Sequence, residues 1–314
     1  MQLSNKDLLS IHNLTTSEVC KILTLSTKLK ALQKAGTAHK LLAGKTLGMI
    51  FNKASTRTRV SFEVGMYQLG GHALYLNDSA TQIGRGEPIE DTARVLSRYV
   101  DGIMIRTFSH DSVEQLAKFS SVPVINGLTD LLHPCQALTD LFTIQEYKDS
   151  FQGRKLTYVG DGNNMANSLM FAAAKVGMDI TIACPAAYQP NAEILELAQN
   201  DALCTGAKIE ITNDPLKACE QADVLYTDVW ASMGSESEAN IRATALKDYQ
   251  INAQSFAVAK PDAILLHCLP AHRGEELTAE VFELHAQEIF DQAENRLHVQ
   301  KAIMALLMSP ENLL

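Results

Sequence analysis

Apolar positions along this chain switch repeatedly between helical spacing and short continuous runs, and that alternation predicts its elements. LTTSEVCKILTLSTKLKALQKAG has helical spacing, opens near Thr and Ser, and is expected to stop at Gly36. KTLGMIF reads as a buried strand, STRTRVSFEVGMYQLGG as a helix closed by a glycine pair, and HALYLN as a second strand. After a loop containing SATQIGRGE, PIEDTARVLSRYV predicts a helix with Pro88 near its first turn. DGIMIRT and VPVING are the third and fourth strands, and HPCQALTDLFTIQEYKDS is a long helix with Pro134 at its first position.

A second series starts at GRKLTYVGD. Strand LTYVG, helix NMANSLMFAAAKVG and strand DITIACP form one βαβ unit, and AKIEIT, ADVLYTD and AILLHC are further strands between helical segments. ENRLHVQKAIMALLM closes the chain as an amphipathic helix. Strands separated by helices make parallel, doubly wound sheets. The expected fold class is therefore α/β, with two doubly wound parallel-sheet domains, an active-site cleft between them, and a boundary near KDSFQGR at residues 148–154.

Composition narrows the class. A length of 314 residues suits two domains, and 46% hydrophobic with 20% charged residues is a globular balance. No apolar run reaches the ~20 residues of a membrane span. The start lacks the basic and apolar regions of a secretory signal, so the cytoplasm is the expected address. Six scattered cysteines without a CxxC pair predict neither a disulfide framework nor a metal site. A net charge of -9 disfavours nucleic acid and membrane surfaces but not a small anion met by a local arginine cluster.

Such a cluster begins at Ser55-Thr56-Arg57-Thr58-Arg59, which follows a strand and opens a helix. Helix N-termini carry unsatisfied N–H groups and the positive end of the macrodipole, and the hydroxyls and Arg57 add donors. A well-capped helix with a solvated basic turn explains the motif alone equally well. Arg106 ends a strand and His133 precedes the helix after another, and parallel α/β sheets bind ligands outside the carboxyl ends of their strands. Three groups on one rim favour an anion site over coincidence.

In the second series GDGNN lacks the third glycine of GxGxxG, which weakens a nucleotide reading. Asn164 either hydrogen-bonds a carboxylate or amine or merely forms the turn. Asp228, after ADVLYTD, either pairs with a substrate ammonium or caps an Asx turn. Cys268 ends AILLHC, where a thiol is either an inert small hydrophobe or part of a site.

Together these motifs resemble the ornithine carbamoyltransferases along the whole chain. FNKASTRTRVSFE is similar to the family's carbamoyl-phosphate signature, HPCQ to its HPxQ motif, DVWASMG to its DxWxSMG loop, and HCLPAHRG to its HCLP motif. DVWASMG and HCLP separate it from the aspartate carbamoyltransferases. The resemblance implies that residues 1–150 plus 295–314 form a carbamoyl-phosphate-binding domain and 151–294 an ornithine-binding domain. It implies that Ser55, Thr56, Arg57 and Thr58 bind the phosphate. Arg106, His133, Gln136, Cys268, Leu269 and Arg296 would hold the rest of carbamoyl phosphate, with Gln82 reaching a neighbour's site in a homotrimer. Asn164, Asp228, Ser232 and Met233 would bind L-ornithine. Arg106, His133 and Cys268 are the expected catalytic residues, without cofactor or metal. Cys268 would either assist deprotonation or shape the pocket. Asn167 departs from the family, many members of which carry His there.

Other readings are carbamoyl transfer to putrescine or an acylated ornithine, a silent sensor of carbamoyl phosphate or an amino acid, and a nucleotide-binding dehydrogenase. Asp228 and the SMG loop weigh against the first, the complete motif set against the second, and GDGNN against the third.

Overall fold

The computed structural model describes residues 3–77, 86–231 and 238–309. The chain divides into two compact units, Met1–Leu138 with Asn295–Leu314, and Thr139–Glu294. The first division falls inside the helix Pro134–Lys148, ahead of the KDSFQGR stretch.

In the first unit, α1 (Thr16–Lys34) starts with a capping box, in which Thr15 accepts from the Glu18 N–H and Glu18 accepts from the Thr15 N–H. It stops before Gly36, which has φ +67. The sheet is parallel, in the order β2 (His72–Asn77), β1 (Thr46–Phe51), β3 (Gly102–Arg106), β4 (Val124–Leu128). Central β1 and β3 are covered on both faces, which is why they read as continuous apolar runs; edge strand β2 alternates. Helices α2 (Thr56–Gln68), α3 (Ile89–Leu96) and α4 (His110–Phe119) connect the strands, and α4 is a helix that the apolar pattern left unassigned. Pro88 is the N-cap of α3. Ile50, Ile103, Ile105, Val113 and Leu116 belong to one buried apolar cluster of this unit.

β1 and β3 run in register, with Phe51 opposite Arg106, and the Asn52 N–H donates to the Arg106 carbonyl. Both strands therefore stop on one rim. There the chain turns into α2 after β1, and into α5 (Pro134–Lys148) after β4.

The second unit has the parallel order β7 (Ile209–Thr212), β6 (Asp179–Ala183), β5 (Lys155–Val159), β8 (Val224–Thr227), β9 (Ile264–His267). The order reverses beside β5, which is the switch point where such sheets bind ligands. α6 (Asn164–Val176) is buried over most of its length, in keeping with its apolar and Ala-rich sequence. α7 (Ala192–Ala202), α8 (Pro215–Cys219), α9 (Ala239–Leu246), α10 (Ala253–Val258) and α11 (Ala279–Leu284) complete the layers. The closing helix, α12 (Ala286–Met308), starts well before the predicted ENRLHV stretch and carries the chain into the first unit at Asn295. Among the described residues, no helix is long and apolar enough to cross a membrane.

Candidate functional site

The first unit gathers its candidate residues around one hydroxyl. Ser55 is the N-cap of α2 and accepts from the Thr58 N–H at 3.4 Å, which fixes the first turn. Thr56 and Arg57 stay exposed on that turn, while Thr58 is 2% exposed. Its Oγ1 accepts from Arg106 Nη1 at 3.5 Å and from Arg296 Nη2 at 3.3 Å. Arg296 Nη1 also donates to Gln136 Oε1. Thr58, Gln136 and Arg296, separated by up to 238 residues, thus share one buried network.

His133, 5% exposed, precedes Pro134, and its carbonyl accepts from the Gln136 and Ala137 N–H groups. Burial first, then the charges of Arg296 and Arg106, hold its imidazole well below the ordinary range. It is therefore neutral near pH 7 and can donate to an incoming oxygen without releasing a charge. Lys53 adds a further cation; burial and then the Arg106 charge lower its ammonium. Cys135 of HPCQ is buried, donates to the Asn126 carbonyl at 3.4 Å, and has its thiol pushed up to about 12 by burial, so it is inert. Two guanidiniums, a neutral imidazole, a primary amide and a helix N-terminus make a donor set suited to a small, doubly charged anion.

In the second unit the GDGNN turn must pass close to neighbouring backbone. A Cβ on Gly162 would lie 2.3 Å from the nitrogen of Pro190, so no larger residue fits. Asn163 is the N-cap of α6: its Oδ1 accepts from the N–H groups of Met165 and Ala166 and from the Tyr158 hydroxyl. Its Nδ2 donates to Asp228 Oδ2 at 2.9 Å. Asp228, 6% exposed, also accepts at Oδ1 from the Val229 N–H at 2.9 Å and from Cys268 Sγ at 3.0 Å. Asn164 is buried at the first position of α6. Asp161 of the same turn is raised to about 6 by burial, against the lowering effect of its ion pair with Arg242.

Leu269 follows Cys268 in the left-handed region, at φ 59, and its N–H donates to His267 Nδ1 at 2.8 Å. Gln82, Ser232 and Met233 lie outside the described residues. One ligand atom each of Asp228, His267 and Cys268 lies within 4.8 Å of the others, as do those of His272, Glu275 and Glu276. His267 already has both ring nitrogens hydrogen-bonded, so a metal in the first set would have to break one of those bonds.

Sequence reasoning selected Asn164 and passed over Asn163, the side chain that holds Asp228. An Asn before an apolar helix is a legible N-cap; its amide reaching the residue after a strand, 65 positions away, is not.

The folds and donor sets define an α/β protein of two parallel-sheet units, one offering a cluster of anion donors and the other a buried carboxylate beside a thiol. Comparison with known proteins makes the class specific. Residues 6–146 match the carbamoyl-P binding domain of aspartate/ornithine carbamoyltransferase, and residues 152–307 match its Asp/Orn binding domain. The chain belongs to the aspartate/ornithine carbamoyltransferase family. An ornithine carbamoyltransferase of Syntrophotalea carbinolica is 57% identical over 304 residues, covering 97% of this chain and 99% of the relative. The solved structure of ornithine carbamoyltransferase from Pyrococcus furiosus superposes with TM-score 0.94 at 53% identity, covering 98% of both chains. That from Gloeobacter violaceus superposes with TM-score 0.86 at 46% identity, covering 98% of this chain and 100% of the other.

Proposed function

We propose that the chain transfers the carbamoyl group of carbamoyl phosphate to the δ-amine of L-ornithine, giving L-citrulline and phosphate. The observation that carries the reading is the paired set of sites: cationic and hydroxyl donors around Thr58 in one unit, and the Asn163–Asp228–Cys268 group in the other. Full-length relatives above 50% identity bear the ornithine name.

Ser55, Thr56, Arg57 and Thr58 hold the phosphate at the N-terminus of α2, with Arg106 and Arg296 on its flank. His133, kept neutral, and Arg106 donate to the carbonyl oxygen as it gains charge, and Gln136 orients the amide. Asp228 receives the α-ammonium of ornithine, Asn164 its carboxylate, and Ser232 and Met233 the rest of that end. The neutral δ-nitrogen attacks the carbonyl carbon, the C–O bond to phosphate breaks, and the amine's proton leaves with the phosphate or through nearby solvent. Positioning and electrostatics supply most of the acceleration, with no cofactor or metal. Cys268 and the Leu269 backbone line the reacting end.

Self-association belongs to the same proposal. α2 exposes Val60, Val64 and Tyr67 at helical spacing, with Leu74 beside them on edge strand β2, and a covered partner face would bury this apolar stripe. A homotrimer in which Gln82 completes a neighbour's site fits that stripe, and the cytoplasm is the proposed location. One P. furiosus relative is named anabolic, which favours a biosynthetic direction.

The test is product identification. Carbamoyl phosphate labelled with ¹³C at the carbonyl is incubated with ornithine and the product followed by ¹³C NMR. A ureido carbon on the δ-nitrogen is expected; label released only as bicarbonate overturns the reading.

A further inference from the structure

Behind the Cys268–Leu269 segment stands a fully buried pair, the first residue of HCLPAHRG and a glutamate beyond that motif, to which no role has been given above. His267 ends β9 and is 1% exposed; Glu276, nine residues on, is 0% exposed. His267 Nε2 lies 3.1 Å from Glu276 Oε1, and the same oxygen accepts from the His272 N–H at 2.6 Å. One carboxylate oxygen therefore ties down both ends of the turn that carries Cys268, Leu269 and Pro270.

The other ring nitrogen decides the tautomer. Nδ1 accepts from the Leu269 N–H at 2.8 Å, so it carries no proton, and the proton of the neutral ring must sit on Nε2, facing Glu276. The acceptor at Nδ1 holds Leu269 at φ 59, a left-handed conformation that non-glycine residues rarely adopt. That twist places Cys268 Sγ 3.0 Å from Asp228. We infer that Glu276 is a positioning residue for carbamoyl transfer: it fixes the Nε2–H tautomer of His267, and through it the Leu269 backbone and the Cys268 thiol beside Asp228. The inference rests on the function proposed above.

Glu276→Gln separates positioning from bulk. Glu276 Oε2 is buried and has no hydrogen-bond partner among the described residues. The new NH2 either occupies that corner as a buried donor without an acceptor, or turns toward His267 Nε2. In the second case the ring must move its proton to Nδ1, where it opposes the Leu269 N–H.

The tautomer is read directly by ¹⁵N–¹H long-range correlation of the histidine rings, with His267 assigned by its absence in His267→Asn. The wild type should give the Nε2–H pattern; Glu276→Gln keeps it in the first case, whereas Glu276→Leu, which leaves no acceptor, should lose it while remaining folded by circular dichroism. Its kcat should fall on the order of 10- to 100-fold, as when a carboxylate behind a functional histidine is removed. Carbamoyl phosphate affinity should stay within about threefold, since its phosphate donors come from the other unit. A wild-type His267 that is Nδ1–H or doubly protonated overturns the inference, as does Glu276→Leu with wild-type kcat. Failure of the wild type to make citrulline would instead sink the functional reading, and leaves the tautomer result to stand or fall alone.

Discussion

Replacing Asp228 with Asn should weaken ornithine binding selectively, and its size follows from the groups around the carboxylate. Asp228 is 6% exposed and accepts from Asn163 Nδ2 at 2.9 Å, the Val229 N–H at 2.9 Å and Cys268 Sγ at 3.0 Å. Three donors orient the carboxylate but leave its negative charge for a cation to neutralise. A hydrogen bond to a charged group contributes about 1.5–3 kcal/mol, and each 1.4 kcal/mol is tenfold in affinity, so KM for ornithine should rise roughly 10- to 150-fold. In every amide orientation the new NH2 also meets Asn163 Nδ2 or the Val229 N–H, donor against donor. That conflict should lower stability by about 1–3 kcal/mol. Steady-state citrulline assays give KM, calorimetry gives carbamoyl phosphate affinity, and thermal melting gives stability. An unchanged ornithine KM, or a loss confined to carbamoyl phosphate affinity, would refute the assignment of Asp228 to the amino-acid end.

Arg57→Ala removes an exposed side chain from the first turn of α2, so carbamoyl phosphate should bind at least tenfold more weakly by calorimetry, with the melting temperature nearly unchanged. Affinity within a factor of two would count against the phosphate assignment. Lys301, fully buried and donating to Gln68 Oε1 at 2.8 Å, is lowered by burial to about 8 from 10.5. Below pH 8 both folded and unfolded states hold its proton and the burial penalty is felt in full; between pH 8 and 10.5 the folded state sheds the proton first, so stability rises with pH. Relative to Lys301→Met, the wild type should gain on the order of 2 kcal/mol from pH 7 to pH 10 in urea unfolding, and a pH-independent difference would contradict this. Light scattering should give three times the 34.4 kDa chain mass, and Tyr67→Glu on the α2 stripe should reduce it; a fully active monomer would rule the trimer out.

The sheets were legible because their strands are short apolar runs flanked by turn residues and helices, a pattern set locally by burial on both faces. Amphipathic α4, with HDSVEQLAKF between two strong strands, was passed over because a ten-residue helix holds few turns of periodicity. The start of α12 was missed for a related reason: its first turns, AQEIFDQ, lack a long apolar stripe. At the site, Ser55–Thr58, Arg106 and His133 could be read from their places at strand and helix ends. Arg296 was reached only through the family resemblance, since within a helix it looks like any solvated arginine, and the fold is what puts it on Thr58 and Gln136. Asn163 on Asp228 and Glu276 on His267 are likewise placed by the fold, as tertiary pairings without a local spacing rule.

The central claim, a carbamoyl transferase built for a free α-amino acid, is tested most directly by acceptor competition. Ornithine, putrescine and N-acetylornithine are offered at saturating carbamoyl phosphate, and kcat/KM is measured for each carbamoylated product. N-acetylornithine has no α-ammonium to pair with the buried Asp228, and putrescine has no carboxylate for Asn164, so ornithine should be preferred over each by on the order of a thousandfold or more. Comparable kcat/KM for putrescine or N-acetylornithine would contradict the account.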